Sequence, residues 1–269
     1  MSSKTYMVPH DFSKVADAAL NHALVLAKQA NADLLLLHLV DDKSKILATQ
    51  KKMSAYVDSL GINAGSTKVT PLVISGSIFE DIGRIAQKYN CSKIIMGTHG
   101  ASGLQKVFGS NAIKVVRSTS LPFYIVQETT PAESVKNIIV PIDVSKESLQ
   151  IIPHAADIAF LFNSKVHVIA ENQRDQILSR QMKNRIKLVE DKFKELGVDA
   201  TVEMFDSAGS YSTKIINYAK NVNADMIAVA YHTDSLIPAF DNFHQGLIVN
   251  TEKIPVLIIQ SKEVTSMYF

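Results

Sequence analysis

Tryptophan is absent from this chain, and cysteine occurs once, as Cys91. A single thiol excludes an intramolecular disulfide and a thiolate-rich zinc site, and it suits a reducing compartment. Neither charge sign dominates: 28 Lys and Arg stand against 26 Asp and Glu, a formal net charge of +2, with no long run of one sign. That balance argues against nucleic acid as a partner. The chain has no stretch of the roughly 18 apolar residues that a membrane span needs. Its opening, MSSKTYMVPHDF, has no apolar signal core. The expectation is a cytoplasmic protein with no membrane partner. Histidines at 10, 22, 38, 99, 154, 167, 232 and 244 show neither i,i+4 pairing nor a cysteine neighbour, so no metal site is indicated. What is present is ordinary globular composition, 46% apolar over 269 residues. That length suffices for one large domain or two of about 130 residues.

The chain is one unit written twice. Val8-Pro9-His10-Asp11 returns as Val140-Pro141-Ile142-Asp143, 132 residues on (11 to 143). Gly76-Ser77 returns as Gly209-Ser210, and Leu121-Pro122 as Ile254-Pro255, each 133 residues on (77 to 210, 122 to 255). A repeat spanning the whole length sets the fold before any local reading does. The join falls near Glu128 to Val135, short, polar and interrupted by a proline. Domains are expected at residues 1–130 and 136–269.

Strand-length apolar runs alternate with helix-period segments, the signature of an α/β fold. In the first half, strands are predicted at Tyr6 to Pro9, Asp33 to Val40, Lys68 to Ile74, Lys93 to Met96 and Pro122 to Gln127. The continuous run Leu34-Leu35-Leu36-Leu37 reads as a strand buried on both faces. Helices are predicted from a Ser13 cap, from about Lys43 to a stop at Gly61, from a Ser77-Ile78-Phe79-Glu80 capping box to about Tyr89, and over Ser110 to Arg117. The second half repeats this at Asn137 to Pro141, Lys146 to Phe162, Lys165 to Ala170, Gln173 to Leu196, Ala200 to Phe205, Tyr211 to Val222, Met226 to Ala230 and Val256 to Gln260. Five strands with right-handed crossovers make an open parallel sheet, so the chain reads as two tandem Rossmann-like domains. The closing strands start at Pro122 and Pro255 and are edges unless paired. Fusion at a short linker lets them pair as in a symmetric dimer, giving an intramolecular pseudo-dimer that leaves a homodimer of whole chains open. The charged helix Gln173 to Leu196 reads as a solvated face, with a docking surface as the alternative.

In open parallel sheets ligands sit beyond the carboxyl ends of the strands, where strand order reverses. After the fourth strand, residues 97 to 109 hold four glycines, Gly97, Gly100, Gly103 and Gly109. They allow close backbone approach and expose amides. Gly109-Ser110 lies where a helix begins, so free amides and the helix dipole suit a phosphate. This is not a P-loop: no Gly-Lys-Ser or Gly-Lys-Thr follows at the required spacing, and no GxGxxG follows the first strand. In the second half, Gly97, Gly100, Gly103 and Gly109-Ser110 are replaced by Ala230, Thr233, Leu236 and Asn242-Phe243. That loop is degenerate, and the second site is expected to be empty. Cys91, just before a buried strand, reads as a packed, inert thiol.

Val-Pro-His-Asp-Phe-Ser at 8 to 13, Gly-Thr-His-Gly at 97 to 100, Gly-Ser at 109 to 110 and Leu-Pro-Phe-Tyr-Ile-Val at 121 to 126 together resemble a tandem universal stress protein. Order and spacing agree over both halves. The resemblance implies a fold like that of the adenine nucleotide alpha hydrolases and ATP or AMP as ligand, with Mg2+ as a companion ion. It implies that Asp11 reads adenine beside Pro9 and Val40, and that Gly97, Gly100, Gly109, Ser110 and Asn111 hold ribose and phosphates. His99, in the same loop, is a further candidate able to touch phosphate or act as a base, but a backbone-ordering hydrogen bond is its leading reading, because no carboxylate is near in sequence to orient it. The family pattern has nine residues between the second and third glycines; here eight separate Gly100 from Gly109. The implied function is a stress-response or regulatory protein that binds nucleotide in its first domain. A nucleotide-free scaffold with unknown protein partners and a slow ATPase are the alternatives. No catalytic residue is identified.

Overall fold

The computed structural model describes residues 4–61, 67–98, 108–206, 208–231 and 238–262. The chain divides into two compact units, Met1–Glu133 and Ser134–Phe269. Unit 1 runs β1 (Lys4–Pro9), α1 (Lys14–Ala30), β2 (Ala32–Val40), a short 3-10 turn Lys43–Lys45, α2 (Ile46–Ser59), β3 (Val69–Ser75), α3 (Ile78–Lys88), β4 (Cys91–Thr98), α4 (Phe108–Val116) and β5 (Phe123–Gln127). Its strands lie in the order β3-β2-β1-β4-β5, all parallel. Unit 2 runs β6 (Asn137–Pro141), a 3-10 turn Glu147–Ile151, α5 (Ile152–Phe162), β7 (Lys165–Glu171), α6 (Gln176–Glu195), β8 (Ala200–Phe205), α7 (Tyr211–Asn221), β9 (Met226–Tyr231), α8 (Pro238–Ile248) and β10 (Val256–Gln260). The same order recurs as β8-β7-β6-β9-β10, again parallel. Two tandem open five-stranded α/β domains are therefore present, as the repeat and the alternation of periods predict.

The core follows from the apolar pattern. Leu34, Leu35, Leu36 and Leu37 are all buried because β2 is paired on both edges, to β1 and β3, and covered on its faces. Fully burying such a side chain contributes about 1.5–3 kcal/mol. Helix α1 turns Val15, Ala16, Ala19, Leu20, Ala23, Leu26 and Ala27 inward, small residues that bring it close to the sheet. It ends at Asn31, which takes the left-handed conformation (φ 49°) and returns its amide to Ala27 and Lys28 carbonyls. In unit 2, α6 buries Met182, Val189 and Phe193 and turns its charges outward. Cys91 is buried, and burial pushes its thiol up to about 11, as befits an inert sulfur.

Two local expectations are corrected. The Ser77 hydroxyl accepts from the Phe79 amide (3.3 Å), but the Ser77 amide donates in return to Asp81 Oδ2 (2.9 Å) rather than to Glu80. Asp81 lies four residues along and so stands above Ser77 on the same helical face. The helix predicted from Lys146 instead opens as the 3-10 turn Glu147–Ile151 and becomes α-helical only at Ile152, with Pro153 in the first turn where its missing amide is tolerated. Among the described residues, no helix is long and apolar enough to cross a membrane.

Candidate functional site

Strand order in unit 1 reverses between β1 and β4, and a crevice of about 370 Å³ opens there at the carboxyl ends of β1 to β4. That volume lies within the range of small-molecule sites. Pro9, Leu37, Leu39, Ile78 and Met96 supply apolar wall, and Asp11 and His38 stand at the rim of the strands. Asp11 is pinned by the start of α1. Its Oδ1 accepts the Ser13 amide (3.0 Å) and the Ser13 hydroxyl (2.5 Å), while the Ser13 Oγ accepts the Ala16 amide and caps the helix. Burial pushes the Asp11 carboxyl up, but the Ser13 hydroxyl and amide outweigh it and hold the group below the ordinary carboxylate value. Asp11 is thus an anion at neutral pH. Its Oδ2 takes no protein hydrogen bond among the described residues, so it is available to a ligand.

Behind Asp11 lies a cluster drawn from four elements. His10 Nδ1 accepts the Phe12 amide (3.2 Å), which leaves the proton on Nε2 to be donated to Asp17 Oδ1 (3.1 Å). Tyr56 donates its hydroxyl to the same Asp17 oxygen (2.5 Å). These partners fix the tautomer of a His10 side chain that is wholly buried. Burial drives its imidazole below the usual value against the opposing hydrogen bond and charge of Asp17. Phe12 is held with φ 65°, uncommon for a residue with a side chain, and its ring meets His38 (5.1 Å between centroids) with the Lys52 ammonium 3.9 Å from its own centroid. His38 Nδ1 in turn donates to the His10 carbonyl (2.7 Å).

Of the residues predicted for the site, Pro9, Asp11 and Gly97 line the crevice together. Val40 is buried on β2 and is not among the lining residues; its carbonyl accepts the Gly76 amide (3.0 Å). Gly97 sits where a Cβ would lie 2.3 Å from the Val15 carbonyl oxygen, so only glycine lets β4 pass under the first turn of α1. His99 and Gly100 fall outside the described residues. Gly109, Ser110 and Asn111 lie in the first turns of α4, their side chains outside the description. No group of three His, Cys, Asp or Glu able to hold a metal stands among the described residues.

Sequence reasoning missed His10, His38, Asp17 and Tyr56. They come from the turn after β1, from α1, from β2 and from α2, and no spacing in one dimension reveals such a meeting. The one local signal was Asp17 in the first turn of α1, which also serves the helix dipole.

The fold and the crevice define a class: doubly wound α/β domains in tandem, each with strand order reversing beside its central strand. The chain belongs to the universal stress protein family, whose sequence model matches residues 3–127 and again 134–260. A universal stress protein of Methanocaldococcus jannaschii is 25% identical over 145 residues, covering 46% of this chain and 82% of that protein. Among solved structures, a universal stress protein from Archaeoglobus fulgidus superposes with a TM-score of 0.74 at 18% identity, covering 97% of this chain and 99% of that one. A functionally unknown protein from Pseudomonas aeruginosa superposes with a TM-score of 0.69 at 19% identity, over 97% of this chain and 93% of that one. At such identities the likeness is one of fold.

Proposed function

We propose that this chain binds one adenine nucleotide, ATP or AMP, in residues 1–130, and that residues 136–269 form a companion domain without a ligand. The observation that carries this reading is the unit 1 crevice. An ionised Asp11, with one carboxylate oxygen uncommitted, faces a slot walled by Pro9, Leu37, Ile78 and Met96. A flat apolar base with an amino donor on its edge suits an apolar slot ending in an acceptor. Gly97, His99, Gly100, Gly109, Ser110 and Asn111 follow β4 and would meet the ribose and phosphates, with the amino end of α4 favouring negative charge. Mg2+, where it accompanies ATP, rides on the phosphates.

Calorimetric titration of nucleotide-stripped protein with ATP and then AMP tests this. One ligand per chain is expected, with affinity lost in Asp11→Ala. Two per chain would overturn the asymmetry. No heat and no ligand-dependent rise in melting temperature would sink nucleotide binding and leave a protein-interaction scaffold.

A further inference from the structure

The two units satisfy one buried backbone group in opposite ways, and we infer that this choice decides which crevice is open. The group is the carbonyl of the residue that follows the central strand, His10 in unit 1 and Ile142 in unit 2. The two positions are equivalent: the His10 amide donates to Leu37 O (2.8 Å) and the Ile142 amide to Ile169 O (2.9 Å). Each carbonyl lies past the end of its strand ladder, and leaving it without a donor is costly.

In unit 1 the donor comes from the neighbouring strand. His38 Nδ1 lies 2.7 Å from His10 O. Pro9 pairs with Leu37 and Pro141 with Ile169, so the counterpart of His38 on β7 is Ala170, which has nothing to donate. Unit 2 uses a helix instead. The Tyr211 hydroxyl lies 3.2 Å from Ile142 O and 2.8 Å from Ile169 O, one proton serving both. Tyr211 is the first residue of α7, after the Ser210 cap, just as Ile78 is the first residue of α3, after the Ser77 cap. Ile78 only lines the crevice wall. To reach those carbonyls from the start of α7, the Tyr211 ring must cross the space that the unit 1 crevice leaves open. Phe243 of α8 stacks on that ring, with centroids 5.7 Å apart and planes 9° from parallel. Burial, then the nearby Glu171 and Asp143 carboxylates, push the Tyr211 phenol well above its usual value, so it stays a donor at any physiological pH.

The pair His38 and Ile78 therefore keeps one crevice open, and the pair Ala170 and Tyr211 closes the other with the chain's own aromatic ring. Tyr211 stands where a base would lie. The identity of the occupant of unit 1 rests on the nucleotide reading above, whereas the open and closed geometry does not.

The test exchanges the pairs. Crystal structures and ATP titrations are compared for the wild type, for His38→Ala with Ile78→Tyr, and for Ala170→His with Tyr211→Ile. In the first exchange, the introduced phenol is expected within hydrogen-bond distance of His10 O with the crevice filled, and ATP affinity falls by about a hundredfold or more. A phenol that turns to solvent, or one that fills the crevice without weakening ATP, overturns the inference. In the second exchange, the introduced imidazole is expected to donate to Ile142 O with an empty crevice beside it; a crevice that stays closed overturns the inference. A wild type that binds no ATP defeats the nucleotide reading alone, and both crystal structures still decide this one.

Discussion

At Gly97 a single hydrogen in place of a methyl decides whether β4 can lie beneath α1. A Cβ there would come within 2.3 Å of the Val15 carbonyl oxygen and 2.7 Å of its carbon, and backbone at the start of a capped helix cannot yield as a flexible side chain would. Gly97→Ala is expected to destabilise unit 1 by about 1–3 kcal/mol, the usual cost of overpacking. Urea unfolding would show a lower midpoint at unchanged slope, and an unchanged midpoint would mean that α1 moves aside freely. In the sequence this glycine stands out as the first of a ligand loop. The structure adds a reason that needs no ligand, the close passage of two elements distant in the chain. Asp11 was legible as a strand-end carboxylate, yet its pinning by Ser13 and its depressed pKa follow from the turn it adopts. His10 and His38 were two scattered histidines until β1 and β2 paired and set one above the other's carbonyl.

Elements were read more securely than residues, because apolar period survives whatever the partner is. The ten strands fall where strand-length apolar runs stand, and β2 is the clearest of them. Helix ends were less legible, since several nearby side chains compete for the same orphan amides. At α3 the Ser-x-x-Glu spelling pointed to Glu80, but Asp81 takes the Ser77 amide, and Gly76 leaves it room: a Cβ there would meet the Asp81 carboxylate at 2.4 Å. Ser77→Ala is therefore expected to cost about 1 kcal/mol. Asp81→Ala should lower the melting temperature of the protein, while Glu80→Ala should leave it unchanged. If Glu80→Ala is the more damaging of the two in thermal unfolding, the assignment of the cap is wrong. The 3-10 opening before α5 had no spelling of its own; Pro153 limits the first turn without dictating which helix it belongs to.

Over the whole molecule, proton linkage joins local burial to global stability. His10, His22 and His167 all have imidazoles held below the ordinary 6.5, in each case first by burial. The folded state then binds fewer protons than the unfolded chain between those lowered values and 6.5, so stability rises with pH in that window. Their contribution is complete above 6.5 and is lost as the pH falls through the folded values. Urea midpoints measured over a pH series should fall on acidification below 6.5, and His10→Gln should make that fall shallower. A slope unaffected by His10→Gln would show that His10 does not stay neutral in the fold. The tandem repeat, the α/β alternation, the family and the loss of glycines in the second loop were all properties of the sequence by itself, because repetition, period and residue type are one-dimensional. Which side chain meets the carbonyl that follows each central strand was decided only in three dimensions. His38 from β2 reaches the His10 carbonyl and Tyr211 from α7 the equivalent Ile142 carbonyl, and no reading along the chain shows which side chain arrives.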